Sequence, residues 1–195
     1  MERLRQTPSQ TIGPFFAYGL TAHQYGYDYN SIITGCLVDD NFPAGRIVIC
    51  GRVLDGNGTA ISDAMLECWQ ADGEGQYNKQ INLPHDGFIG LGRLGTGTES
   101  DPGFRFITIK PGSIGKNQAP HVNIILFMRG SLRHLYTRMY FSDEEEANQN
   151  DELLNSIPGE RKNTLIGRLC EKTGIKEYVF DIHMQGEKET IFFEI

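Results

Sequence analysis

The chain has 195 residues, of which 39% are hydrophobic and 22% charged, enough to bury a substantial core without disulfide or metal staples. Its formal net charge of −7 excludes the basic stripe that nucleic-acid binding needs, and no apolar run approaches the length of a membrane-spanning helix. The N-terminal MERLRQTPSQ lacks the apolar segment of a secretory signal, so a cytoplasmic protein is expected, with Cys36, Cys50, Cys68 and Cys170 reduced and mostly buried.

Residues 1–45 show little periodicity but carry Phe15, Phe16, Tyr18, Tyr25, Tyr27, Tyr29 and Phe42. Rings in such number need a partner surface, which is either this chain's own domain or another chain. Arg46–Leu54 alternates as a strand, Asp55-Gly56-Asn57-Gly58 has hairpin-turn chemistry, and Ala64–Trp69 returns as the next strand. Gln70–Asn78 reads as a loop carrying Tyr77. Its Asp72-Gly73-Glu74-Gly75 lacks the further carboxylates of a calcium loop. Gly90-Leu91-Gly92-Arg93-Leu94-Gly95 has dinucleotide-like glycine spacing, but no helical pattern follows, so the stretch from Asp86 to Gly103 is expected to be loop and turn. Phe104–Ile109 and His134–Phe141 read as strands.

Asp143-Glu144-Glu145-Glu146 is expected as the solvated first turn of a short helix. Glu160–Lys172 shows helical spacing of Leu165, Ile166, Leu169 and Cys170, with Gly174 placed to stop it. Tyr178–Met184 and Thr190–Ile195 close the chain as strands. Many short strands with glycine-rich turns and little helix predict a mainly β chain, a two-sheet β-sandwich with an irregular N-terminal arm and one or two short helices. The domain limits expected are 1–45 for the arm and 46–195 for the sandwich.

Ala119–Phe127 (APHVNIILF) is the most informative strand, an apolar run behind a proline. Residues two apart on a strand share a face, so His121 and Asn123 project side by side. Two histidines there would make a pair of metal ligands; an asparagine amide is a far weaker donor to a transition metal. His85, His134 and His183 lack acidic or cysteine partners at ligand spacing and read as ordinary polar or core residues, and Arg133 and Arg138 as interface or surface charges.

The segments TPSQTIGPFF, GRVLDGNGTAISDAMLECWQADGEGQYN, APHVNIILFMRG and FDIHMQGEKETIFFEI together resemble the intradiol ring-cleavage dioxygenases along nearly the whole chain. The resemblance implies a β-sandwich and, in the catalytic chains of the family, Fe(III) bound by two tyrosinates and two histidines. Tyr77 and His121 match one of each; Ile114 and Asn123 stand at the other two positions, and Gln118 falls near a family arginine. Ferric iron is a hard, highly charged ion that phenolate oxygens both bind and neutralise, so such a remnant holds it weakly. The resemblance therefore implies a subunit without its own metal or catalytic residues, in which Tyr77, Ile114, His121 and Asn123 are vestigial positions. The partner implied is an iron-binding β subunit in a higher hetero-oligomer, on which the arm packs. Thr11, Gly13, Pro14, Phe15 and Arg129 match residues that line the substrate pocket of that partner, and the substrate implied is protocatechuate or another carboxylated catechol. The alternatives are a non-catalytic β-sandwich scaffold and a self-sufficient metalloenzyme using Tyr77 and His121 with some further ligand.

Overall fold

Alternation of apolar and polar residues builds two layers that face each other. The computed structural model describes residues 8–194 apart from 9, 14, 40, 41, 43, 44, 79–86, 99 and 173. Its strands are β1 (Arg46–Gly51), β2 (Val53–Leu54), β3 (Met65–Trp69), β4 (Leu91–Gly95), β5 (Phe104–Ile109), β6 (His121–Phe127), β7 (Leu135–Phe141), β8 (Ile166–Lys172), β9 (Ile175–Val179) and β10 (Ile182–His183). Eight of them form one continuous ladder in the order β4-β3-β6-β7-β8-β9-β1-β5, and β10 pairs with β2 in parallel. The ladder turns its corner at β7–β8, where only Tyr140↔Ile166 and Phe141↔Gly167 pair. The two halves then stack as a sandwich.

The main core lies between them: Leu66 and Cys68 of β3, Val122, Ile124 and Leu126 of β6, and Met139 and Phe141 of β7 meet Ile47 and Ile49 of β1, Phe106 of β5 and Tyr178 of β9. Each such side chain, moved from water into this layer, stabilises the fold by about 1.5–3 kcal/mol before entropy is subtracted. In β6 the even-numbered residues Val122, Ile124 and Leu126 enter the core, which turns Asn123, Ile125 and Phe127 to the opposite face. Cys68 is buried, while Cys36, Cys50 and Cys170 are only half-buried, and all four are free. Burial and the neighbouring Glu177 carboxylate push the Cys50 thiol up to about 12.

Three sequence expectations fail. Glu160–Lys172 is not an α-helix: Gly159–Leu165 forms a 3-10 helix, and Ile166–Lys172 is β8, paired to both β7 and β9. The apolar spacing there is ambiguous, and β7 decides it for Ile166 and Gly167, and β9 for Arg168–Lys172, by supplying backbone partners. The glycine-rich stretch is not all loop, because Leu91–Gly95 is β4. A Cβ on Gly92 would lie 2.4 Å from Leu37 Cδ1, and one on Gly95 2.1 Å from the Tyr25 hydroxyl, so these glycines admit close packing against residues from the arm. Thr190–Ile195 is no strand over its described residues; it contributes a single bridge, Tyr136↔Phe193. The expected short acidic helix is present as α2 (Glu145–Asn150), but Asp143 before it is engaged rather than solvated, with its carboxylate near Lys110 at 2.9 Å and accepting from the Tyr178 hydroxyl.

The arm is partly woven into this domain. Leu37 belongs to the main core, α1 (Phe15–Leu20) buries Ala17, and the Gln24 side chain both donates to and accepts from the Gly95 backbone at 2.8 Å. Phe15, Tyr27, Tyr29 and Ile32 remain exposed.

Candidate functional site

The outer face of the β3-β6-β7 layer carries the polar residues that β6 turns away from the core. Antiparallel register sets Trp69 of β3 opposite Asn123 of β6, and Asn123 opposite Arg138 of β7. The next row pairs His121 with Tyr140. The loop after β3 folds back over this face. Asp72 accepts from the Glu74 and Gln76 amides in an Asx turn, and Gly75 at φ 80° packs so tightly that a Cβ would lie 2.1 Å from the Ser113 carbonyl oxygen. That places Ile114, half-buried, beside the loop, and stacks Tyr77 on Trp69 with ring centroids 4.5 Å apart. Gln118 is exposed and bridges to Gly115 instead of entering the row.

Tyr77, Asn123 and Arg138 are joined by hydrogen bonds whose direction is fixed by chemistry. Arg138 Nε donates to Asn123 Oδ1 at 3.1 Å; a guanidinium only donates, so the amide nitrogen of Asn123 must face Tyr77, donating to its hydroxyl oxygen at 3.0 Å. Arg138 also donates to the Tyr140 hydroxyl at 3.4 Å, and Tyr140 donates to Asp151 at 3.0 Å. Asp151 is fully buried and also accepts from the backbone amides of Ala119 and Leu154. Burial is the main reason the Tyr140 hydroxyl is pushed up to about 12.

His121 Nδ1 lies 2.7 Å from the Ala119 carbonyl oxygen. A carbonyl only accepts, so Nδ1 carries the proton, and the lone pair rests on Nε2, which is buried without a partner. Burial first, then the nearby Arg138 charge, holds the imidazole down to about 4, so it is neutral at pH 7.

This donor set does not fit a ferric ion. Among the described residues of the row, the unpartnered Nε2 and the Tyr77 oxygen are atoms that could ligate. Ile114 offers no donor, the Asn123 oxygen is turned to a guanidinium, and that guanidinium brings positive charge to the place where a metal would sit. Among the described residues, no three His, Cys, Asp or Glu side chains converge as a metal set. Arg138, expected as an interface or surface charge, is half-buried and the hub of the row, because the β6–β7 register puts residue 138 opposite residue 123.

The other expected site residues gather elsewhere. Arg129 follows β6 by two residues, six positions from Asn123, or roughly 20 Å along an extended strand. It projects outward, its side chain 67% exposed, with Nε 2.6 Å from Asp63 Oδ2. The Gly130 amide donates to Thr11 Oγ1 at 2.7 Å, which ties the arm to the Arg129 corner. Gly13 accepts from the Phe16 amide as α1 begins, and Phe16 packs on Phe127 at 5.4 Å. A Cβ on Gly13 would meet open space within this chain. Phe15 is 80% exposed. Pro14 and His85 lie outside the described residues, His134 lies on the surface with Nε2 2.7 Å from the Tyr136 hydroxyl, and His183 sits on β10.

Residues 24–186 match the family described as Dioxygenase. The chain is 44% identical over 197 aligned positions to the protocatechuate 3,4-dioxygenase alpha chain of Burkholderia cepacia, with 100% of both chains covered. It is 32% identical over 174 positions to the protocatechuate 3,4-dioxygenase beta chain of the same organism, covering 81% of this chain and 72% of the other. Among solved structures, the dioxygenase domain of a dioxygenase carbohydrate-binding fusion from Streptomyces sp. SirexAA-E superposes with a TM-score of 0.62 at 23% identity, covering 82% of this chain and 89% of that one, a likeness of fold. By sequence and by architecture, this chain belongs to the intradiol ring-cleaving dioxygenase family.

Proposed function

We propose that this chain is the α subunit of a protocatechuate 3,4-dioxygenase. Together with an iron-holding β chain, it would serve the intradiol cleavage of protocatechuate by O2 to 3-carboxy-cis,cis-muconate. The observation that carries the reading is the Tyr77–Asn123–Arg138 row, in which an amide and a guanidinium replace metal donors in a chain that otherwise aligns end to end with an α chain. The iron-dependent step is assigned to the partner.

The part played by this chain's own residues is recognition. Protocatechuate carries a carboxylate, and an outward guanidinium can form a charge-assisted pair with it where water is partly excluded. Arg129 points away from its own sandwich, so it serves a pocket completed by another chain. Its Asp63 partner keeps the guanidinium oriented until a substrate carboxylate competes for it. Thr11, fastened to the same corner through Gly130, forms the rest of this wall with Gly13 and Phe15 of the same arm. Residues 1–45 thus do two jobs: the inner portion around Leu37 completes the core, and the exposed aromatics Phe15, Tyr27 and Tyr29 meet the partner. Among the described residues, no helix is long and apolar enough to cross a membrane, consistent with the cytoplasmic setting proposed here.

Co-expression tests the assignment. Protocatechuate-dependent oxygen uptake is expected only when this chain is produced with an iron-binding β chain, with about one iron per α/β pair and the iron lost when the β chain's own ligands are substituted. Ring cleavage by this chain alone, or an inactive but fully assembled pair, would overturn it.

A further inference from the structure

The row Trp69–Asn123–Arg138 holds a feature beyond the loss of ligands. Arg52, Arg93, Arg105 and Arg129 each pair with a carboxylate. Arg138 contacts only the neutral oxygens of Asn123 and Tyr140, and among the described residues no carboxylate lies within ion-pair distance of it. Asp151, the nearest acid in the network, is separated from it by Tyr140 and already accepts three hydrogen bonds. A half-buried guanidinium with no carboxylate at ion-pair distance adds a positive potential to its surroundings, which at His121 outweighs the opposing Asp151 carboxylate. Those surroundings contain, among the described residues, the Tyr77 oxygen and the unpartnered His121 Nε2, two atoms that could ligate a metal.

We propose that Arg138 is a built-in cation that closes this pocket to metal ions, so that metal exclusion depends on its charge and not only on the missing ligands at positions 114 and 123. A side chain at position 123 long enough to ligate would reach toward the guanidinium, whose Nε is 3.1 Å from the present Asn123 oxygen. Any metal there would stand within a few ångströms of a fixed positive charge. The inference concerns this chain alone, and its readouts do not involve dioxygenase activity, so it stands or falls separately from the α-subunit reading.

The test restores the donors and then removes the charge. The full-length variant Ile114→Tyr/Asn123→His is compared with the same variant carrying Arg138→Gln, which keeps an amide donor without charge, and with one carrying Arg138→Lys, which keeps charge. Ferric affinity is read by metal analysis and by the visible absorption of tyrosinate bound to iron, with circular dichroism to confirm the fold. The Arg138→Gln variant is expected to bind iron about a hundredfold more tightly than the other two, the scale of one like charge a few ångströms away. Equal affinity in all three, or a folded Arg138→Gln variant that binds no iron, overturns the proposal.

A second measurement needs no restored ligands and decides the matter where those variants fail to fold. Trp69 is the single tryptophan of the chain and stacks on Tyr77, so its fluorescence reports a metal bound beside that ring. With Cu(II) as the probe, the strongest divalent binder of imidazole, Arg138→Gln is expected to lower the half-quenching concentration about tenfold relative to wild type and Arg138→Lys, and His121→Ala to abolish the gain. Half-points indistinguishable among wild type, Arg138→Gln and Arg138→Lys overturn it.

Discussion

His121 is held neutral by its surroundings, and that has a cost which depends on pH. Its imidazole is 3% exposed, and burial beside Arg138 holds it down to about 4 against an ordinary value of 6.5. As pH falls below 6.5 the unfolded chain takes up this proton while the folded chain does not, so stability declines from pH 6.5 to about 4, by at most about 3 kcal/mol. Urea midpoints measured across that window are expected to fall more steeply for the wild-type chain than for His121→Gln; parallel curves would show that His121 is not so held. Arg129 is proposed to act on the substrate. Arg129→Ala in the assembled enzyme is expected to raise the Michaelis constant for protocatechuate about tenfold, the loss of one charge-assisted hydrogen bond, with iron content unchanged. Unaltered kinetics would remove Arg129 from the pocket wall.

At the scale of elements, the loop after β3 is set by what it presses against. Gly75 and Gly58 have nearly the same backbone, φ 80° and 79°, but a Cβ on Gly75 would strike the Ser113 carbonyl, whereas one on Gly58 would meet open space. Gly58→Ala is therefore expected to cost about 1 kcal/mol, the left-handed penalty alone. Gly75→Ala adds a backbone collision that no rotamer relieves and is expected to cost about 3 kcal/mol, displacing Tyr77 from Trp69. Thermal unfolding of the two variants measures the difference, and equal losses would mean that the Ser113 contact yields freely. The β6–β7 hairpin works the other way, by alignment. Its register creates the Asn123–Arg138 and His121–Tyr140 rows, and a one-residue slip would send Val122 and Ile124 out of the core.

For the whole molecule, a sandwich with a well-filled core leaves an arm that still shows Tyr27 at 52%, Tyr29 at 74% and Ile32 at 89% exposure. Apolar surface of this kind, next to a domain that needs none of it for stability, suits a partner chain. The double variant Tyr29→Ser/Ile32→Ser is expected to unfold within about 2 °C of the wild-type chain, because surface changes of this sort shift stability little. Its association with the β chain is expected to weaken at least about tenfold, measured by sedimentation of the mixed subunits. Unchanged association would place the interface elsewhere on the arm.

Much of this was legible in the residues themselves. Period-two alternation in Arg46–Leu54, Phe104–Ile109 and Ala119–Phe127 marked strands, because side-chain direction is a local property. The turn at Asp55–Gly58 closes only the single Leu54↔Ala60 bridge and does not join Arg46–Leu54 to β3 as a hairpin, since β3 takes β4 and β6 as its partners. Ile114 offers no metal donor and Asn123 only a weak one, and that chemistry is readable from the residue types alone. Tertiary structure decided what depends on neighbours. Ile166–Lys172 is a strand because β7 pairs with its first two residues and β9 with the rest, and the glycines of β4 are spacers for Leu37 and Tyr25. Arg138 joins the Tyr77–Asn123 row because pairing across a hairpin, and not distance along the chain, puts it against Asn123.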